Sequence, residues 1–380
     1  MAKAEVQGFV HDKFEGVRDQ FQTHLDTGAD IGASFCVTKD GETVVDLWGG
    51  YADVEKTRAW EKDTIVNVYS TTKTMTALTA LLLADRGELD FDAPVAKYWP
   101  EFAANGKADI KVSHLMSHSA GLSGWREPMT NEDLYDWEKA TSLLAAQAPL
   151  WEPGTASGYH AITQGYLVGE VIRRVAGKTV GTVFREEIAG PLGADFHIGL
   201  PASEDARVAD LKPPADASIS ADPTMTEIKK ITFTNPGIDV SETRTRAWRG
   251  AEIPAAGGTG NARSVATIHT ILANGGMANG KRFMSEAGCR KALEEQIQGT
   301  DLILGIPVRY GLGFGLSGPM SPALNEHSMF WGGYGGSIAL IDMQSHTTMS
   351  YAMNLMQGTT TGDMRAITLA MQAWQGLNAG

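Results

Sequence analysis

Ser70-Thr71-Thr72-Lys73 is the first arrangement in this 380-residue chain that could do covalent chemistry. A serine hydroxyl becomes a useful nucleophile only when a base takes its proton. On a helix, residues three apart share a face, which would place Lys73 one turn from Ser70. A helix N-terminus adds N–H groups and partial positive charge beside the serine. A lysine held there and partly desolvated is pushed toward its neutral form, which can act as a base. Ser-x-x-Lys is expected about once by chance in a chain of this length. It occurs here only at 70–73, where a helix is predicted to begin.

Two further stretches could complete such a site. Trp151-Glu-Pro-Gly-Thr-Ala-Ser-Gly-Tyr159-His160-Ala161 presents Tyr159 after a Pro-Gly turn and before an apolar helix. A phenol there could exchange protons with Ser70 and Lys73, although a half-buried loop tyrosine is the commoner outcome. Phe330-Trp331-Gly332-Gly333-Tyr334-Gly335-Gly336-Ser337 sets four glycines in a strand pattern, so something approaches that backbone closely. An oxyanion hole needs a bare backbone N–H aimed at a carbonyl; a Gly-rich bulge at a sheet edge is the plainer alternative. Gly313-Phe-Gly315-Leu-Ser-Gly318 matches G-x-G-x-x-G in letters, but Pro319 and Pro322 follow and no helix opens there. His114 and His118, four apart, lack the Glu of H-E-x-x-H and a third ligand, and read as helix packing. No G-x-S-x-G nucleophile elbow occurs.

These residues need a scaffold. Val6, Val10, Phe14, Val17, Phe21 and Leu25 form a helical stripe over 6–25. Residues 34–39 and 43–48 around Asp40-Gly41 predict a hairpin, and 64–69 a short strand. Helices are predicted from Ser70 to Gly87, over about 131–147 and 162–177, and after Ser264 as N-cap. Pro213-Pro214 and Pro223 mark a surface connection. Tyr310–Leu316 alternates as a strand, 337–343 and 347–353 form a hairpin, and 364–374 closes with an amphipathic helix. Strands at both ends and helices between predict an α/β fold: an antiparallel sheet flanked by N- and C-terminal helices. Residues 1–72 and 250–380 would form the sheet domain and 73–249 an inserted, mostly helical one.

Composition narrows the function. A net charge of −13 repels phosphate backbones and anionic lipid, so neither nucleic acid nor membrane is an expected partner. The N-terminal stretch has no secretory pattern, and the strongest apolar run, 77–84, is too short to span a bilayer. Cys36 and Cys289 show no metal spacing. A cytoplasmic protein with reduced thiols and no metal site is expected.

The order Ser-x-x-Lys, Tyr, Gly-rich strand resembles the penicillin-recognising serine hydrolases: class C β-lactamases, DD-peptidases and family VIII carboxylesterases. Supporting stretches are 114–122, Pro153-Gly154 leading to Tyr159, 257–263, 311–314 and 335–337, so the likeness runs from about residue 30 to 375. The resemblance implies a β-lactamase-like fold, Ser70 as nucleophile, and Lys73 and Tyr159 as its coupled proton partners. It implies an oxyanion hole from the N–H groups of Ser70 and Tyr334. Trp331-Gly332-Gly333 would stand at the substrate-binding Lys-Thr-Gly position. Two departures point to the esterase branch. Ala161 replaces the Asn of Tyr-x-Asn, and Trp331 replaces the lysine that could grip a β-lactam carboxylate. The expected activity is hydrolysis of short-chain carboxylic esters through an acyl-enzyme, with no cofactor. The alternatives are a β-lactamase or amide hydrolase, and a binding protein that has lost the chemistry.

Overall fold

The computed structural model describes residues 4–215, 225–319, 321–322, 325–360 and 362–379. The apolar stripe near the N-terminus divides between two elements. Gln7–Val10 form strand β1, paired antiparallel with β3, and helix α1 runs only from Glu15 to Thr27 after a 3-10 turn at Asp12–Phe14. Val6 and Val10 are therefore not helical. The outer edge of β3 presents a row of backbone groups, and β1 satisfies them. Phe14, Val17 and Phe21 keep the helical spacing and are buried.

Strands β2 (Gly32–Lys39) and β3 (Glu42–Gly50) form the expected hairpin. Asp40 and Gly41 both have positive φ, at 52° and 86°, the tight turn that suits the twist of two paired strands. Short strands β4 (Val66–Asn67), β5 (Phe196–His197) and β6 (Thr259–Gly260) make a small sheet in the order β4-β6-β5. A ribbon pairs β7 (Met277–Ala278) with β8 (Lys281–Arg282). Strands β9 (Ile297–Thr300), β10 (Pro307–Tyr310), β11 (Gly315–Leu316), β12 (Ser328–Gly332), β13 (Ile338–Asp342) and β14 (Thr347–Met353) complete the large sheet. Its order is β1-β3-β2-β14-β13-β12-β11-β10-β9, antiparallel throughout. Residues 310–316 are not one strand. Gly311–Phe314 form the turn between β10 and β11, and the alternation of glycines there reflects the turn.

The helices follow from α2 (Thr72–Asp85) through α3 (Val112–Met116), α4 (Trp137–Ala146) and α5 (Thr163–Ala176). Next come α6 (Val180–Phe184), α7 (Gly190–Leu192), α8 (Glu227–Thr234) and α9 (Arg246–Gly250). The last are α10 (Ala262–Ala273), α11 (Glu286–Arg290) and α12 (Met364–Asn378). The 131–147 segment splits into a 3-10 turn and α4, because Asp136 caps α4 by accepting the Lys139 N–H. Asn261, not Ser264, is the N-cap of α10; the two side chains cap each other's backbone reciprocally. Pro214 is buried although Pro213 is exposed, and Pro223 lies outside the described residues.

Helices α1 and α12 pack together over β3 and β14, while α10 lies across β2, β13 and β14 on the opposite face. Coverage on both faces buries almost every residue of β2, β13 and β14, which erases polar alternation. The antiparallel sheet flanked by the two terminal helices is the fold expected from the sequence. Helix α2 runs from the sheet toward α5 and α6. Among the described residues no helix is long and apolar enough to cross a membrane.

Candidate active site

The segment after β4 turns sharply into α2. Tyr69–Thr71 form a 3-10 turn, so Ser70 sits just ahead of the helix proper. Tyr69 has φ +43°, a conformation costly for a bulky residue and held only where the surroundings over-determine it. Those surroundings are visible. The Tyr69 N–H donates to Asn67 Oδ1 (3.2 Å), the Thr72 hydroxyl donates to the Tyr69 carbonyl (2.5 Å), and the Tyr69 ring packs edge-on against Tyr334 at 5.5 Å. The turn points Ser70 into a cavity with its backbone N–H at the start of α2.

Ser70, Lys73 and Tyr159 meet. Lys73 Nζ lies 3.1 Å from Ser70 Oγ, and the Tyr159 hydroxyl donates to the same oxygen at 2.6 Å. Lys73 is fully buried and also donates to the carbonyls of Ala161 (2.7 Å) and Ala255 (3.0 Å). Burial holds its ammonium pKa well below the ordinary lysine value, and no carboxylate among the described residues pairs with it. A neutral amine fits these partners: two N–H bonds go to the carbonyls and the lone pair faces Ser70. Burial has the opposite effect on Tyr159, raising its pKa and keeping the phenol protonated. Position 161 thus contributes through its backbone carbonyl, which needs no amide side chain.

Trp331 stands on β12 with its indole beside the Tyr159 ring, 6.0 Å between ring centroids. Its ring is stacked on His118 at 5.2 Å. His118 is outside α3 and buried among Tyr159, His160, Tyr310 and Trp331, where desolvation depresses its pKa. The ring that reads as helix packing in the sequence is therefore part of the wall behind Tyr159. Among the described residues no group of three or more His, Cys, Asp or Glu side chains could hold a metal ion.

Strand β12 ends at Gly332, and Gly333–Gly336 form a turn rather than continuing the strand. A Cβ on Gly333 would lie 2.2 Å from the Val68 carbonyl oxygen, so the close approach is to the segment carrying Ser70. Ser337 fastens that contact by donating to the Val68 carbonyl (2.8 Å), with the Thr71 hydroxyl at 2.9 Å. The N–H groups of Gly333, Gly335 and Gly336 donate to the carbonyls of Ser337, Thr359 and Gly333. That of Tyr334, a residue lining the Ser70 cavity, has no such acceptor among the described residues. Gly332 lines a second cavity beside Trp331.

Arg365, at the start of α12, holds this turn from behind. It donates to the carbonyls of Gly335 (3.0 Å), Leu355 (2.8 Å) and Ala29 (3.1 Å) and pairs with Asp30 (2.8 Å) and Asp363. Burial pushes the Asp30 carboxyl up to about 6 despite the guanidinium beside it. Breaking such a buried pair leaves an uncompensated charge, a loss of about 3–5 kcal/mol. Arg365→Met is expected to lower unfolding free energy in urea by that amount, and a loss below about 1 kcal/mol would contradict the arrangement.

A cavity of about 350 Å³ holds Ser70, and another of about 320 Å³ lies past Trp331; Tyr159 and Thr360 border both. Asp301 ties the second to the site, since its Oδ1 accepts the N–H groups of Tyr159 (3.1 Å), Ile303 and Leu304 (both 2.9 Å). Sequence reasoning missed Tyr69, His118, Asp301, Ser337 and Arg365. Of these, His118 and Ser337 carried a signal, their positions in the 114–122 and 335–337 stretches.

A family model described as Beta-lactamase matches residues 17–372. The esterase/beta-lactamase LipL of Mycobacterium tuberculosis is 36% identical over 340 residues, covering 85% of this chain and 77% of LipL. A crystal structure of a family VIII carboxylesterase superposes with a TM-score of 0.93 at 42% identity, covering 98% of this chain and all of that one. A penicillin-binding protein homologue from Caulobacter crescentus follows with a TM-score of 0.91 at 37% identity over 98% of this chain and 100% of its own. With a match over nearly its whole length and the expected fold, the chain belongs to the beta-lactamase family.

Proposed function

We propose that the protein is a serine carboxylesterase that hydrolyses neutral short-chain esters through an acyl-enzyme on Ser70. One observation carries the mechanism: the Tyr159 hydroxyl donates to Ser70 Oγ, and that oxygen lies 3.1 Å from the Nζ of a buried Lys73 that has no acidic partner among the described residues. Lys73 is the resting base and Tyr159 the neutral phenol. Ser70 gives its proton to Lys73 Nζ as Oγ bonds the ester carbonyl carbon. The carbonyl π electrons move to oxygen, and the oxyanion lies between the N–H groups of Ser70 and Tyr334. Each such donor is worth about a hundredfold to a thousandfold in rate. Collapse re-forms the carbonyl and breaks the bond to the alkoxide, which takes a proton from Tyr159; Lys73 re-protonates the phenolate. Water then gives a proton to the same pair as its oxygen bonds the acyl carbon; collapse breaks the bond to Ser70 Oγ, which takes that proton from the pair as the acid leaves.

The residues around Ser70 favour esters over β-lactams. The cavity has apolar walls from Tyr69, Ile162, Phe233 and Ile238, and its one charged side chain among the described residues is Asp239. Hydrogen bonds from Ser241 hold that carboxyl below its usual pKa, so it is anionic and repels a substrate carboxylate. Trp331 offers an indole where a cation would grip one. A charge-assisted contact to a carboxylate is worth about 1.5–3 kcal/mol. The protein should therefore prefer a neutral aryl acetate over a penicillin in kcat/KM by at least about tenfold to a hundredfold. Trp331→Ala should slow ester turnover through lost packing against His118 and Tyr159, and Trp331→Lys should narrow the gap between the substrates. Equal efficiency on penicillins and simple esters would sink the esterase assignment. No residue of the site calls for a cofactor.

A further inference from the structure

The one charged side chain that lines the Ser70 cavity, Asp239, has no partner of opposite sign among the described residues. Other carboxylates of the chain do. Asp195, Asp205, Asp210, Glu295 and Glu326 each hold an arginine. Asp239 is exposed, and Tyr69, Phe233 and Tyr334 line the same cavity. Lys73, beside Ser70, is buried and held toward its neutral form, so it brings no fixed cation to the site.

The carboxylate is fixed before any ligand arrives. Asp239 is the N-cap of the 3-10 turn Val240–Arg244, and its Oδ1 accepts the Ser241 N–H at 2.7 Å. The segment leading to it is anchored by Asn235. That side chain donates to the carbonyls of Trp125 (2.7 Å) and Glu127 (2.8 Å) and accepts the Met129 N–H (2.7 Å). A group held in advance costs a ligand little ordering. Aromatic faces add attraction for a cation, because the ring quadrupole is negative there. Tyr69 and Tyr334, which meet edge-on at 5.5 Å, supply two such rings. The net charge of −13 draws cations toward the molecule as a whole. An unpaired carboxylate among aromatic rings is a surface that suits an ammonium group.

We propose that Asp239 is a specificity-determining residue and that the Ser70 site takes esters carrying an ammonium group in preference to their uncharged counterparts. The proposal rests on the esterase reading above and extends its substrate class from neutral to cationic esters. Pairs of esters that differ only by nitrogen for carbon isolate the charge. One pair, 2-(trimethylammonio)ethyl acetate and 3,3-dimethylbutyl acetate, carries the difference on the alcohol. The other, methyl 4-(trimethylammonio)butanoate and methyl 5,5-dimethylhexanoate, carries it on the acyl group. The members of each pair match in shape, so fit alone does not separate them.

The test is the cation-to-neutral ratio of kcat/KM, measured by pH-stat at low ionic strength, where exposed charges are least screened. In Asp239→Asn this ratio should fall about twofold to fivefold in at least one pair, the worth of an exposed ion pair. Differences in intrinsic reactivity cancel, since the same esters meet both proteins. Asparagine can still accept the Ser241 N–H as N-cap, and Asp239→Ser, which also caps, should give the same result if the first variant fails to fold. Glu55→Gln, an equal change in net charge at an exposed residue outside the cavity, should leave the ratio unchanged. Failure of the wild type to hydrolyse any of the four esters or an aryl acetate would overturn the esterase reading and this proposal with it. Hydrolysis with ratios that Asp239→Asn leaves unchanged in both pairs, or that Glu55→Gln lowers as much, would overturn the role of Asp239 alone.

Discussion

Ser70→Ala is expected to bring ester hydrolysis to background while the protein stays folded. The substitution removes one oxygen, the only atom of Ser70 that Lys73 and Tyr159 both address, at 3.1 and 2.6 Å. It leaves the 3-10 turn intact, since the Tyr69 backbone is held by Asn67 and Thr72 and the Val68 carbonyl by Ser337. Groups that act as a unit lose nearly all of their effect when any one is removed, so a fall in kcat/KM of about 10⁴-fold or more is expected. Steady-state kinetics on a chromogenic acetate would measure it. A folded variant keeping more than a few per cent of wild-type turnover would remove Ser70 from the mechanism.

Substitution of Lys73 should be nearly as damaging, and the choice of replacement is informative. Arginine keeps a positive charge and a long side chain, but it does not deprotonate in proteins. If Lys73 served only as a fixed cation, Lys73→Arg would retain much of the activity. As the resting base it cannot be replaced this way, and kcat/KM should fall by about 10³-fold or more in both Lys73→Arg and Lys73→Met. The pH profile of the wild type supplies the sign. Burial depresses the Lys73 pKa, so the amine gains its base form as pH rises through a value well below that of an ordinary lysine. Activity should climb there and then level off. Because burial raises the Tyr159 pKa, loss of the phenolic proton should not lower the rate until pH exceeds the ordinary tyrosine range. A profile that begins to rise only near the ordinary lysine pKa would contradict Lys73 as a depressed base.

Much of the fold was legible because its signals are local. Asp40-Gly41 dictates a hairpin turn, the 364–374 stripe dictates a helix, and an antiparallel sheet with helices in the middle of the chain follows from their order. The misreadings came from residues whose spacing fits two structures. Val6 and Val10 continue the helical stripe of Phe14, Val17 and Phe21, yet they belong to an edge strand and its approach, which nothing within that window reveals. The glycines of 311–315 look like strand alternation because a tight turn and a bulged strand use the same residue types.

At the site, the residues proposed to act could be named from spacing and resemblance: Ser70, Lys73, Tyr159 and Trp331 for their side chains, and Tyr334 for its backbone N–H. The residues that position them could not. Arg365 reaches Gly335 from the start of the last helix, Asp301 holds Tyr159 from 142 positions away, and the strain at Tyr69 is a backbone dihedral. Trp331 shows the difference most directly. Its type alone indicates an apolar wall, whereas its placement stacks it on His118 and sets it beside Tyr159, contacts that no spacing reveals.

The central claim is that Ser70 becomes covalently acylated. Incubation with a fluorophosphonate, followed by intact-mass measurement and peptide mapping, tests it directly. The expected result is one phosphonyl group per chain, on the peptide containing Ser70, absent from Ser70→Ala and slowed in Lys73→Met. No adduct on the folded wild-type protein, or an adduct on any other serine, would contradict it.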